Sequence, residues 1–349
     1  MPRLPAEWEP HSAVMLTWPH DETAWRPQLA QIEGLYTELA AAIAAYEPVL
    51  IVCRDAAHRE QIAARLDAAD IPSRQRHLAL APSNDTWTRD HGPLTVLDGD
   101  RPLLLDCRFN GWGAKFPAGL DDRITQVLHQ AGVFGDIPLR QQDLVLEGGA
   151  IDTDGDGTLL AMTRTLVDPK RNPHLTRAAI EARLAELLGT RRVLWIEEGQ
   201  LSGDDTDGHI DTLARFCAPD TIAYVQCQDP NDTDFPGLAA MERELQGLRQ
   251  ASGAPYRLVP LPCPAPVLGQ DGQRLAASYA NFLIINGAVL VPVYRDPADQ
   301  TALARIADLF PGREVRPLDC RRLIEQGGSL HCATMQLPTA VRLPGTHRA

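Results

Sequence analysis

A chain of 349 residues, 44% hydrophobic and 23% charged, has enough apolar material for one large core or two ordinary ones, and no apolar run in it is long enough to span a bilayer. Its 33 basic residues against 46 acidic ones leave a net charge of -13, which disfavours nucleic acid and favours a small cationic partner. The seven cysteines, at positions 53, 107, 217, 227, 263, 320 and 332, are odd in number, scattered and without a CxxC pair, against a disulfide framework or a zinc knuckle.

The N-terminus MPRLPAEWEP lacks a basic stretch followed by an apolar core, so the expected location is the cytoplasm. A strand is predicted around Ala13 to Trp18, between two prolines. A helix follows over 22–46, where Leu29, Ile32, Leu35, Leu39 and Ile43 keep a helical period until Pro48 ends it. Val49 to Cys53 reads as a buried strand, and Asp55 caps a helix that runs to about Ala69. Strands are then predicted near 75–80, 93–97 and 102–108, a helix near 121–131, and strands near 137–141, 144–147 and 158–162. The pattern repeats with a helix over 174–188, strands over 192–196, 210–217 and 221–226, and a helix over about 232–250. The last stretch gives strands at 256–260, 282–286 and 288–293, a helix at 300–310, and strands at 313–317 and 333–337.

Strand pairs thus alternate with single helices about five times. A doubly wound sheet needs mostly single strands between helices, and hairpin signals such as Asn286-Gly287 point away from it. One domain over 1–349, built of repeated mixed units closed around an axis, is the economical expectation. A division near residue 170 is the alternative.

Five stretches carry chemistry. SGDDTDGHIDTLARF, 202–216, packs Asp204, Asp205, Asp207, His209 and Asp211 into one short window. Extended backbone would place Asp207, His209 and Asp211 on one face, a row that suits a cation pocket, a metal site or an acidic turn. Gly-Asp-Asp at 203–205 is ordinary turn chemistry. LVLEGGAI places Glu147 before two glycines, as a surface residue or as the carboxylate that holds a histidine. The adjoining IDTDGDGT mimics a calcium loop but has Thr163 where a bidentate Glu is needed, so a hairpin turn is expected there. NDTWTRDHGPL, 84–94, combines Trp87 with Asp90, an aromatic face and a carboxylate edge of the kind that holds a planar cation; core packing and an exposed pair are the other reading. FNGWGAKF adds Trp112 as a pocket wall or packing residue. Finally, EQGGSLHCATMQLP sets Cys332 after Gly327-Gly328 and beside His331, as a candidate nucleophile or an inert buried thiol.

Taken together, PAEWEPHSAVMLTWPH, DTWTRDHGPL, FNGWGAKF, LEGGAIDTDGDGTLL, GDDTDGHIDTLARF, YANFLIINGAVLVPVY and GGSLHCATMQLP resemble, in order and along nearly the whole chain, the agmatine deiminase and bacterial peptidyl-arginine deiminase branch of the guanidino-group-modifying superfamily. The resemblance implies a five-bladed α/β propeller, or pentein, of pseudo-fivefold symmetry with a central active site. Carried over, it implies Cys332 as nucleophile, His209 as general acid/base, Asp90 and Asp211 as the guanidinium-binding carboxylates and Glu147 as support for the histidine. Trp87 and Trp112 would line the substrate channel, against the Gly327-Gly328 loop. GGSLHC is shorter than the loop of many agmatine deiminases. The implied reaction is hydrolysis of a linear amidine C–N bond, agmatine to N-carbamoylputrescine and ammonia on the way to putrescine, with no metal and no organic cofactor. Deimination of free or peptidyl arginine to citrulline is the alternative; a metal-dependent ureohydrolase and a non-catalytic guanidine- or polyamine-binding protein are the competing classes. The partner expected is a small cationic guanidine, with neither nucleic acid nor membrane, and homo-oligomerisation is left open.

Overall fold

Sixteen strands in five small sheets absorb nearly every apolar run predicted as a strand, in a computed structural model that describes residues 2–344. Four consecutive units share one plan. The first is β4 (Leu94–Asp98), β5 (Arg101–Arg108) and β6 (Leu139–Val145). It is followed by β7 (Ile151–Thr153), β8 (Thr158–Met162) and β9 (Arg192–Ile196). The third is β10 (Ala214–Ala218), β11 (Thr221–Gln226) and β12 (Arg257–Pro262), and the fourth β13 (Leu283–Ile285), β14 (Ala288–Val293) and β15 (Glu314–Asp319). In each, an antiparallel hairpin is followed by a helical crossover to a strand parallel to the hairpin's second arm. Crossovers of this length are what parallel pairing requires.

The remaining sheet has the order β16-β1-β2-β3, from β1 (His11–Thr17), β2 (Val49–Cys53), β3 (Arg76–Leu80) and β16 (Thr334–Pro338). Here β16 runs antiparallel to β1, with Val14 opposite Gln336, while β1, β2 and β3 are parallel. The last strand of the chain therefore supplies the arm that every other unit takes from its own hairpin. Together the five sheets make the five-bladed α/β propeller that the sequence resemblance implies.

Helices cover the sheets with one apolar face each. Leu29–Ala44 turns Ile32, Leu35, Tyr36, Leu39 and Ile43 inward, and β2, apolar at all five positions, is buried throughout. Asp55 caps Ala56–Ala68 by accepting the His58 N–H at 2.8 Å, as expected, and Thr176 caps Arg177–Leu188 in the same way. The Asn286-Gly287 turn is a two-residue connection between β13 and β14, with Gly287 at φ +77°.

Three expectations change. The two strands predicted at 137–141 and 144–147 are one strand, β6. The short strand β7 goes unpredicted, because three residues are too few to set a period. The run at 210–217 is extended only from Ala214: Ile210–Thr212 forms a 3₁₀ turn with His209 at its cap, so Asp207, His209 and Asp211 do not form an extended row. Asp207 has φ +68° and turns away to Arg171 and Lys115, at 2.9 and 2.8 Å.

Candidate active site

One structural position, used five times, brings the site together. Each sheet's first strand is preceded by a short turn or loop, and each of these segments presents polar side chains. Thr88–His91 carries Asp90 ahead of β4; Gly148–Ala150 follows Glu147 ahead of β7; Ile210–Thr212 carries Asp211 and is capped by His209 ahead of β10. Asn281 precedes β13, and His331 with Cys332 precedes β16. Residues more than 200 positions apart meet because pseudo-symmetric units aim the same segment at one place.

Asp90 is held on both oxygens. Oδ1 accepts the Gly149 N–H at 3.0 Å and Oδ2 accepts the Trp112 indole N–H at 2.9 Å. His209 lies between two carboxylates, its Nδ1 3.6 Å from Asp90 Oδ1 and its Nε2 3.7 Å from Glu147 Oε2. These are ion-pair separations just beyond hydrogen-bonding reach, and neither ring nitrogen has a hydrogen-bond partner among the described residues. Glu147 is fixed from behind by Arg171 Nε, 2.9 Å from each oxygen. Gly149 permits this approach: a Cβ there would lie 2.6 Å from His209 Nδ1 and 2.9 Å from Asp90 Oδ1.

Asp211 completes the cluster from the other side. Its Oδ2 is 2.7 Å from His331 Nδ1, accepts Asn281 Nδ2 at 3.2 Å and stands 3.6 Å from Cys332 Sγ, while its Oδ1 has no hydrogen-bond partner among the described residues. Asn281 Nδ2 is also 3.3 Å from Cys332 Sγ. A cavity of about 260 Å³ reaches this thiol, lined by Asp85, Trp87, Asp90, Trp112, Asp205 and Cys332 among others.

The electrostatics follow from burial among like charges. Burial pushes Asp90 up to about 6, although His209 pulls the other way. For His209, burial opposes the charge, but Asp90, then Glu147 and Asp211, outweigh it and raise the imidazole to about 9. Glu147 and Asp211 are also penalised by burial, yet both stay below the usual range, Glu147 through His209 and Arg171 and Asp211 chiefly through His331. Burial, then Asp211 and Asp90, hold the Cys332 thiol well above its ordinary value. The site is a buried acidic cluster with one thiol, Asp90 bonded at both oxygens and Asp211 at one.

Every residue expected at the site lies in or beside this cluster. The Trp87 ring packs on Gly328, where a Cβ would come within 2.2 Å of it, and Gly327, at φ +81°, leaves room for Asp205 Oδ1. Asp204 is the turn residue expected of it, accepting the Thr206 and Gly208 N–H groups. Asp205 departs from the turn reading: it lines the cavity and is raised to about 6 by burial and Asp204. Sequence reasoning missed Asn281, Arg171, Asp85 and Glu7. For Asn281 a signal existed, since it stands shortly before the fourth hairpin as Asp211 and Glu147 stand shortly before theirs. The others have only spatial signals.

The Porphyromonas-type peptidyl-arginine deiminase family profile matches residues 3–338. The chain is 35% identical to an agmatine deiminase of Ectopseudomonas mendocina, over 96% of this chain and 95% of that one. A C. jejuni agmatine deiminase with a Cys-to-Ser change and substrate bound is 33% identical, with a TM-score of 0.90 over 98% of both chains. A Porphyromonas gingivalis structure provisionally assigned as an arginine deiminase is 47% identical, with a TM-score of 0.92 over 98% of this chain and 100% of that one. These relatives have the pentein fold, and the chain belongs to the Porphyromonas-type peptidyl-arginine deiminase family, alongside agmatine deiminases.

Proposed function

We propose that this protein is an agmatine deiminase, hydrolysing agmatine to N-carbamoylputrescine and ammonia through a covalent intermediate on Cys332, without a cofactor. The observation that carries the reading is the meeting of Cys332, Asp211, Asp90, His209 and Glu147 in one buried cluster, of which Asp90 and Cys332 line a cavity. Relatives that act on agmatine support it.

A guanidinium is a poor electrophile because its charge is spread over three nitrogens, so the site must first orient it. Asp90 and Asp211 take its N–H edges by charge-assisted bonds, with the unpartnered Asp211 Oδ1 as one acceptor. The bound cation offsets the two carboxylates that keep the thiol protonated, so the thiol gives its proton up to solvent as the cation enters, and the Asn281 side-chain N–H steadies the thiolate. Sulfur then bonds to the central carbon. His209 donates a proton to one nitrogen, which leaves as ammonia, and a thiouronium-like adduct remains on Cys332. In the second half His209 takes a proton from water, the hydroxide adds to the same carbon, and the C–S bond breaks to release the thiolate and the ureido product, whose hydroxyl proton passes to solvent.

The tail of the substrate favours agmatine over arginine. The charged residues lining the cavity, Asp85, Asp90 and Asp205, are all acidic, which suits a distal ammonium and repels an α-carboxylate. Arginine, free or at a peptide end, is the second reading, supported by the P. gingivalis relative. The reducing cytoplasm suits seven unpaired thiols. A panel of agmatine, arginine and a C-terminal-arginine peptide, scored for ammonia and ureido product before and after chelation, tests the reading. Agmatine is expected to give the highest kcat/KM, unchanged by chelator. Urea as product, or preference for arginine, contradicts it.

A further inference from the structure

Glu7 lies before β1, far in sequence from every residue of the site, yet its carboxylate is a hub that ties two other units to the β16 arm of its own. Oε1 accepts Arg89 Nη1 at 3.1 Å and stands 2.8 Å from His331 Nε2; Oε2 accepts Gln336 Nε2 at 3.1 Å and also receives Arg215 Nη2. Arg215 is shared with Asp152, its Nε 3.2 Å from Oδ2. On the far side of the same imidazole, His331 Nδ1 is 2.7 Å from Asp211 Oδ2.

The outcome is a continuous chain, Glu7 to His331 to Asp211, one residue from Cys332. A carboxylate has two oxygens, and the chain occupies one of them on Asp211. Asn281 reinforces that choice at 3.2 Å, and Oδ1 is left without a partner among the described residues. A buried acceptor without a donor is costly unless something else supplies one.

We propose that Glu7 is a positioning residue for the guanidine site: by pressing His331 against Oδ2 of Asp211 it fixes the rotation of that carboxylate and keeps Oδ1 open for a substrate N–H. This rests on the reading above that Asp211 binds the guanidinium. The competing role is purely that of counter-ion to Arg89 and Arg215, which would leave the imidazole link without consequence.

The test is agmatine affinity by titration calorimetry in a Cys332→Ser background, which separates binding from turnover. Glu7→Gln is expected to weaken binding roughly tenfold to a hundredfold, as for loss of a charge-assisted hydrogen bond. His331→Gln, which leaves Glu7 on both arginines, should lose a similar factor. The double variant should lose little more than the worse single one, because both changes cut the same chain. Multiplying losses, or a His331→Gln affinity within about twofold of the background, overturns the proposal. If Glu7→Gln yields no folded protein, His331→Gln alone decides on that same criterion. Asp211→Asn in the same background tests the underlying clamp separately. A loss there with none in the Glu7 and His331 variants rejects the positioning role alone, and no loss in Asp211→Asn rejects both.

Discussion

Two buried histidines sit within one cluster, each between two carboxylates, and they are built differently. His331 is 2.7 Å from Asp211 and 2.8 Å from Glu7, with both ring nitrogens engaged. His209 is 3.6 Å from Asp90 and 3.7 Å from Glu147, with neither nitrogen hydrogen-bonded. The first is a strut whose ring nitrogens are both committed to the frame. The second is held by charge alone, with both ring nitrogens unbonded among the described residues. A proton carrier needs that freedom, so spacing rather than residue type distinguishes His209, the proposed carrier, from the braced His331.

The strongest way to break this comparison is to remove what both histidines serve. Cys332→Ala should lower turnover of agmatine by about 10⁵-fold or more, the scale for loss of a nucleophile that acts with a base. Ammonia release near the native rate would remove the reason for assigning either histidine a part.

Next comes His209→Gln, with an expected loss of about 10²- to 10⁴-fold in kcat. The pH profile sharpens the point. On the acid side kcat/KM should fall through about 6, where Asp90 takes a proton and loosens its hold on the guanidinium. On the alkaline side it should fall through about 9, where His209 loses the proton that it gives to ammonia. Stability follows the sign of the imidazole shift. Its folded value lies above 6.5, so its contribution is complete below 6.5 and is lost as pH rises through about 9. A profile flat across both limits contradicts the assignment.

Gly149→Ala tests the spacing itself. The added carbon would sit 2.6 Å from His209 Nδ1, so the ring must move, and about 10²-fold should be lost even though no reacting group is removed. Gly328→Ala presses on the Trp87 ring, at the cavity wall rather than on a histidine, and should raise KM about tenfold with a smaller change in kcat. The smallest effect belongs to a residue distant from the site. Thr176→Ala removes the cap of Arg177–Leu188 and should cost about 1 kcal/mol of stability by denaturant titration, with kcat/KM unchanged.

Much of this arrangement was legible in the chain. The apolar runs gave the strands and the hairpins their places, since a buried strand such as β2 needs an unbroken apolar segment and a turn such as Asn286-Gly287 needs little else. Cys332, His209, Asp90, Asp211 and Glu147 stand in short motifs with glycine neighbours, and a resemblance carried them into one list. The local conformation around His209 was not legible, because a 3₁₀ turn and a strand share the same sequence of apolar and polar residues over three positions. Arg171 and Glu7 were invisible for another reason. Each acts by bracing a site residue 24 or 324 positions away, and only the closing of sheet on sheet brings them together.

The measurement closest to the central claim is intact-protein mass spectrometry of the enzyme quenched in acid during turnover of agmatine. The account predicts a mass increase equal to agmatine less ammonia, mapped to the peptide bearing Cys332 and absent from Cys332→Ser. Steady production of ammonia with no adduct at any quench time, together with continued turnover by Cys332→Ser, would contradict it.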